Sequence, residues 1–177
     1  AARLDSYSDQ IGRVCEALES RIALVEASKQ PKTSSGDRIL FDARSLQLEH
    51  FSTRGIGRYA EAILDSLVLK AGADRVDLFV DLRQRDIPES LSQGLRLISR
   101  IEDPGRYQVL VEPSPMTSSP LPLIPLLPHV DKSIAIAHDV IPLHFPDHYL
   151  PDAAAVAEYA ACLDFVGHFS DILCNSH

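Results

Sequence analysis

Positive charge is what this chain of 177 residues is short of: 17 lysines and arginines face 25 aspartates and glutamates, for a formal net charge of -8. Nucleic acid is gripped mainly through its phosphates by a basic face, so that class of partner is disfavoured. A local basic cluster that holds one phosphate group remains compatible. Cysteine is scarce too. Cys15, Cys162 and Cys174 are odd in number, and their spacing matches no zinc or redox motif. The plain reading is reduced thiols in a cytoplasmic protein, with no metal and no cofactor. Long apolar runs are also missing. A membrane span needs about 20 apolar residues, and the apolar stretch 121–127 is interrupted by Pro122 and Pro125. The opening Ala-Ala-Arg-Leu-Asp has no signal-peptide character. No Met stands at position 1, which points to a longer parent. Neither an internal repeat nor a low-complexity tract is present.

What is present falls into two parts. Residues 1–37 read as an N-terminal helix and a linker. Leu4, Tyr7, Ile11, Val14, Leu18, Ile22 and Val25 recur at spacings of three and four, which predicts one helix over 3–29. Two roles for it stand side by side: a cover for its own domain, or an inter-domain or coiled-coil helix through which the chain forms oligomers. Residues 30–37 are a linker by composition. From residue 38 to residue 177 short apolar runs alternate with helical spacing. Strands are expected at 38–42, 75–80, 95–98, 107–111, 133–137 and 172–174, and helices at 59–69, 88–93 and 152–169. The stretch 118–127 fits neither pattern. Such alternation implies an α/β domain, Rossmann-like, with a parallel sheet covered by helices on both faces. Ligands of such sheets sit beyond the carboxyl ends of the strands. Three polar clusters fall there: Asp42-Ala43-Arg44, Glu112-Pro113-Ser114 and His138-Asp139.

Two segments carry candidate chemistry. Thr53-Arg54-Gly55-Ile56-Gly57-Arg58-Tyr59 opens a helix. Gly55 and Gly57 let backbone pass close to a ligand, the helix N-terminus offers N–H groups, and Arg54 and Arg58 add charge, so together they suit a diphosphate. A turn that merely needs glycine explains the pair equally well, and Arg58 reads equally as a solvated arginine. The full dinucleotide fingerprint needs a third glycine where Ala60 stands, so NAD loses weight. In the second segment Ile134-Ala135-Ile136-Ala137 lead into His138, which at a strand end can bond sugar hydroxyls or help hold a leaving group. Asp139 either orients it or caps the next turn. A purely structural His-Asp pair is the competing reading. Pro142 and Pro146 stiffen the loop that follows.

Phe41-Asp42-Ala43-Arg44, Gly55-Ile56-Gly57-Arg58-Tyr59, His138-Asp139-Val140-Ile141-Pro142-Leu143, Phe145-Pro146-x-x-Tyr149 and Asp171-Ile172-Leu173-Cys174-Asn175-Ser176 occur in this order along the chain. The ordered set resembles the N-terminal domain of family-four glycosyltransferases, which have the GT-B fold and retain anomeric configuration. It looks most like the subgroup that builds bacterial polysaccharides, often with mannose. The resemblance covers residues 38–177. It implies an acceptor-side domain for a glycan or lipid-linked acceptor, with His138 catalytic. Asp42, Arg44 and Asp139 would contact acceptor or sugar, and Gly55, Gly57 and Arg58 would face the donor diphosphate. The sugar nucleotide would be held mainly by a C-terminal domain carrying the family's paired glutamates, seven residues between them. No two glutamates of this chain have that spacing. The fragment alone is therefore expected to be inactive. The expected setting is the cytoplasm, extending to peripheral association at the inner membrane for the full-length protein. The alternative is a non-catalytic, transferase-like binding or assembly module.

Overall fold

The computed structural model describes residues 15, 16, 19, 22, 36–52 and 55–174. Most of the helix expected over 3–29 therefore lies outside the described residues, as do Arg54, Asn175 and Ser176. Six strands form one sheet: β1 (Arg38–Asp42), β2 (Val76–Phe79), β3 (Arg96–Ile98), β4 (Tyr107–Glu112), β5 (Lys132–Ala137) and β6 (Asp171–Cys174). Each expected strand is found to within one residue at either end. Their order across the sheet is β3-β2-β1-β4-β5-β6, and every neighbouring pair is parallel.

Side chains alternate across this sheet as the pleat requires. Leu40 and Phe41 are adjacent in sequence and both fully buried, yet they join different hydrophobic clusters. The same split separates Leu78 from Phe79 and Leu110 from Val111. Both faces are therefore covered, which is why the strands read as continuous apolar runs rather than alternating ones. After β1 come two single-turn helices, α1 (Arg44–Gln47) and α2 (Glu49–Ser52), and then α3 (Gly55–Ala71). Ala60 and Leu64 of α3 cover the Phe41 face. A one-turn helix, α4 (Glu89–Ser92), precedes β3. After β5 the chain makes two more single turns, α5 (Ile141–His144) and α6 (Pro146–Tyr149), then α7 (Ala153–Val166). The Asp152 carboxylate caps α7 by accepting from the Ala155 N–H at 2.8 Å.

The stretch that fitted neither pattern, 118–127, covers the Leu40 face together with α7. Pro120, Pro122, Pro125 and Pro128 remove backbone donors and bar an α-helix there. Only a 3₁₀ turn forms, at Ile124–Leu126, but Leu123, Ile124, Leu126 and Val130 are fully buried against Phe165 and Leu110. Hydrophobic content, not helix propensity, is what the crossover between β4 and β5 contributes.

The amino ends of the strands are tied together by Asp77, which is fully buried on β2. Its carboxylate accepts from Arg38 of β1 through two guanidinium nitrogens and from the Tyr107 hydroxyl of β4 at 3.0 Å, and Arg96 of β3 lies at 3.5 Å. Burial pushes the Tyr107 phenol well above its ordinary range, and the neighbouring Asp77 charge adds to this. One end of the sheet is thus closed by an internal ion network.

Gly57 has a packing reason to be glycine. It is buried, and a Cβ there would stand 2.4 Å from Ser52 Cα and 2.5 Å from the Phe51 carbonyl oxygen, both main-chain atoms of α2. A Cβ on Gly55 would meet nothing within 4 Å. Gly57→Val is therefore expected to cost about 1–3 kcal/mol by overpacking, with Gly55→Ala staying within about 0.5 kcal/mol of the native chain. Urea denaturation of both variants checks this. Equal stability of the two would show that the α2–α3 corner yields freely.

Candidate functional site

From β1 the chain moves outward to β2 and β3, returns to place β4 on the other side of β1, and moves outward again to β5 and β6. The strand order therefore reverses between β1 and β4. In open parallel sheets a crevice forms at such a switch point, outside the carboxyl ends, because the connections leave on opposite faces. β1 ends there in Asp42 and β4 ends there in Glu112.

Asp42, Arg44 and Glu112 make one buried cluster, with relative exposures of 2%, 6% and 3%. Arg44 turns back on its own strand. Its Nε donates to Asp42 Oδ1 at 2.9 Å, its Nη2 donates to Oδ2 at 2.6 Å, and its backbone N–H donates to Oδ1 at 3.0 Å. Arg44 Nη1 donates to the Ser119 carbonyl at 2.7 Å, and the guanidinium lies 5.2 Å from the Phe79 ring centroid. One side chain thus joins β1, the end of β2 and the connection between β4 and β5.

The two carboxyls diverge in acidity. Burial raises Asp42, but the charge and hydrogen bonds of Arg44 outweigh it and hold the carboxyl below the usual range. Glu112 is raised well above that range, by burial first and then by the charge and hydrogen bond of Asp42. Burial beside Asp42 thus favours the protonated form of Glu112, whose Oε1 accepts from the Ser114 N–H at 3.0 Å. Like charges side by side cannot both ionise in a low-dielectric site.

This arrangement predicts a pH dependence. The folded-state value of Glu112 lies above its unfolded one, so its contribution is fully present below about pH 4.5 and is lost as pH rises through the raised value. Asp42 acts in the opposite sense, with stability present above its ordinary value of 3.8 and lost as pH falls through its depressed one. Glu112→Gln keeps an N–H donor toward Asp42 and cannot ionise. Its melting temperature is expected to gain on the native chain as pH rises above the ordinary value of 4.5 toward the raised one. Parallel melting curves would remove the proton from Glu112.

His138 directly follows β5, on the same rim. Its Nε2–H donates to the Pro113 carbonyl at 2.8 Å, and its ring meets that of Tyr59 edge-on, with centroids 5.5 Å apart at 81°. Tyr59 lies in the first turns of α3, so the start of that helix stands at this rim beside His138. Arg58 is exposed there, Gly55 is exposed, and Gly57 faces α2. Asp139 is exposed and caps the next turn: its Oδ1 accepts from the Ile141 N–H at 3.1 Å. Pro113 and Tyr59 are among the contacts that hold the His138 ring.

A cleft of about 570 Å³ opens beside the Asp42–Arg44 pair. Arg44 and Phe79 line it, together with the connection after β2 (81–84) and the connection after β4 (117–119). Gln47 secures the first of these. Its Nε2 donates to the carbonyls of Asp81 and Arg85 at 3.0 and 2.9 Å, and its Oε1 accepts from the Asp81 N–H at 2.8 Å. Arg44 secures the second through Ser119.

No family model, no curated protein and no solved structure matches this chain. The site must therefore be read from its own chemistry. Among the described residues no group of three or more His, Cys, Asp and Glu side chains is placed to hold a metal ion. No helix of the described residues is long and apolar enough to cross a membrane. The Cys162 thiol is pushed up to about 12 by burial first and then by Glu158, which makes it a poor nucleophile.

Sequence reasoning marked Asp42, Arg44, His138 and Asp139 as residues at strand ends. It marked Glu112 as a strand end but gave it no role, because its partner sits on a strand 70 positions away. Gln47 and Tyr59 were missed as supports. Neither carries a local signal: one is a glutamine in a helical turn, the other an aromatic at helical spacing.

Proposed function

We propose that residues 38–177 are the acceptor-side half of a retaining glycosyltransferase. It would move a hexose, mannose being one candidate, from a sugar nucleotide to a glycan or lipid-linked acceptor. The observation that supports this best is the contact between Tyr59 and His138. It joins two of the motifs on which the resemblance rests, Gly-Ile-Gly-Arg-Tyr and His-Asp-Val-Ile-Pro-Leu, at the carboxyl rim of a parallel sheet. A third, Asp42-Ala43-Arg44, ends β1 on that rim. A Rossmann-like sheet with a cleft at its switch point suits such a half, since ligands of this architecture gather there.

In this reading His138 bonds the transferred sugar or the acceptor hydroxyl, held in place by Pro113 and Tyr59. The start of α3, with Gly55 and Arg58, faces the diphosphate of a donor carried by residues outside these 177. Asp42, Arg44 and Glu112 keep the rim in shape.

The test is a transfer assay on the parent protein with radiolabelled sugar nucleotides and a lipid-linked or glycan acceptor, with the anomeric configuration of the product read by NMR. A product that keeps the donor's configuration is expected. The 177-residue chain by itself is expected to show no transfer. An inverted product, or robust turnover by the isolated chain, would overturn the reading.

A further inference from the structure

We propose that the small pocket between β3 and the connection 99–106 is a phosphate site, built on Arg96, Arg100 and Arg106. It goes beyond the transferase reading and does not depend on it.

In a chain short of positive charge, three arginines line this one space of about 280 Å³. Their donors are largely unspent. The buried carboxylate nearest to them, Asp77, is already occupied: Arg38 grips it through two guanidinium nitrogens, and the Tyr107 hydroxyl adds a bond at 3.0 Å. Arg96 reaches Asp77 only at 3.5 Å, and Arg106 Nε stands 3.8 Å away, too far for a hydrogen bond. That Nε is buried and has no hydrogen-bond partner. A buried charged donor without an acceptor is costly, and a ligand oxygen in the pocket would supply one. Arg100 is exposed and pairs with no described residue.

Charge, shape and size then select the ligand. Asp77 and Arg38 cancel each other, and the lining sets three guanidiniums against the two carboxylates of Glu102 and Asp103, which leaves one positive charge in excess. Shape adds more than that balance does. Each guanidinium is a planar fork that takes oxygens two at a time, so a tetrahedral phosphate can engage several forks at once. A carboxylate presents a single pair of oxygens and would leave forks idle. A cation would be repelled, and a neutral ligand would leave the charges unanswered. The volume lies just under the roughly 300–1,000 Å³ of drug-sized sites. It admits a phosphate group with a small remainder and no nucleotide. The ligand is therefore the free phosphate ion or a small phosphomonoester, and the phosphate is the chemistry they share.

The experiment is an amide NMR titration of the protein with inorganic phosphate and, in a parallel arm, glycerol 3-phosphate. Sodium chloride at matched ionic strength is the control. Phosphate is expected to shift signals between 96 and 107 saturably, with a Kd of about 1 mM. At ten times that concentration it should raise the melting temperature by about 3–6 °C. The second arm tells the two sources apart. Binding of glycerol 3-phosphate at least about threefold tighter assigns the site to an organic ester, and equal or weaker binding assigns it to the free ion. Arg100→Ala removes a guanidinium that pairs with no described residue. It should weaken phosphate binding at least about fivefold and leave the melting temperature without phosphate unchanged. Arg106→Lys keeps the charge but loses the fork, and should weaken binding severalfold. Should that variant fail to fold, Arg100→Ala carries the test alone. The proposal is overturned if chloride produces the same shifts, or if phosphate moves no signal between 96 and 107. Shifts confined to 55–58, at the start of α3, would overturn it too, as would an Arg100→Ala protein that binds phosphate like the native chain.

Discussion

Arg44→Ala is expected to cost about 3–5 kcal/mol of folding stability, read as a lower urea midpoint with an unchanged slope. The substitution leaves the Asp42 carboxylate buried with only the Glu112 proton to balance it. It also strips the Ser119 carbonyl of its donor. An uncompensated buried charge is the expensive outcome, far more so than the absence of an ion pair. That asymmetry supplies the control. Asp42→Ala combined with Arg44→Met removes both charges and keeps apolar volume at position 44, so it should recover much of what Arg44→Ala loses. Arg44→Lys keeps the charge but loses the fork that spans both carboxylate oxygens, and should fall between. A loss below about 1 kcal/mol for Arg44→Ala would mean that water reaches Asp42 and that the cluster is no rim support.

On the transferase reading proposed above, His138→Ala is expected to lower kcat by about 10²–10³, the usual cost of removing one hydrogen bond made in the transition state. His138 is half-buried, and its hydrogen bond to the Pro113 carbonyl and its edge-on contact with Tyr59 contribute about 1 kcal/mol together to the fold. Kinetics and thermal melts are therefore read side by side. Normal turnover would eliminate the assignment, and a large drop in melting temperature with kcat intact would return the histidine to a packing role. Tyr59→Leu gives an independent reading. It keeps apolar bulk beside the ring but removes the edge-on contact, so a positioning role predicts a loss in kcat smaller than that of His138→Ala, with little change in stability.

The architecture was legible because it is written in local patterns. Apolar runs such as Arg38-Ile-Leu-Phe-Asp and Ser-Ile-Ala-Ile-Ala, each ending in polar residues, can only be strands buried on both faces. Helical spacing over 59–69, between the strand runs at 38–42 and 75–80, reads as a crossover on the sheet, and the helix found there is Gly55–Ala71. Even so, the segment 118–127 defeated pattern reading, because prolines barred the helix while its leucines still had to cover the sheet. Asp139 shows a second limit. The sequence allowed it either to orient His138 or to cap a turn, and its hydrogen bond goes to the Ile141 N–H.

By itself, then, the sequence determined the layers, the direction of the strands and the residues that end them, since periodicity and punctuation act over a few residues at a time. Only the tertiary structure decided which strand ends meet. Asp42 and Glu112 shift each other's acidity because β4 returns to lie beside β1, whereas an order that put β4 elsewhere would leave the same residues with other partners. Strand order is set by which crossovers close over a common core. That choice is made by contacts across tens of residues, and no local pattern records it.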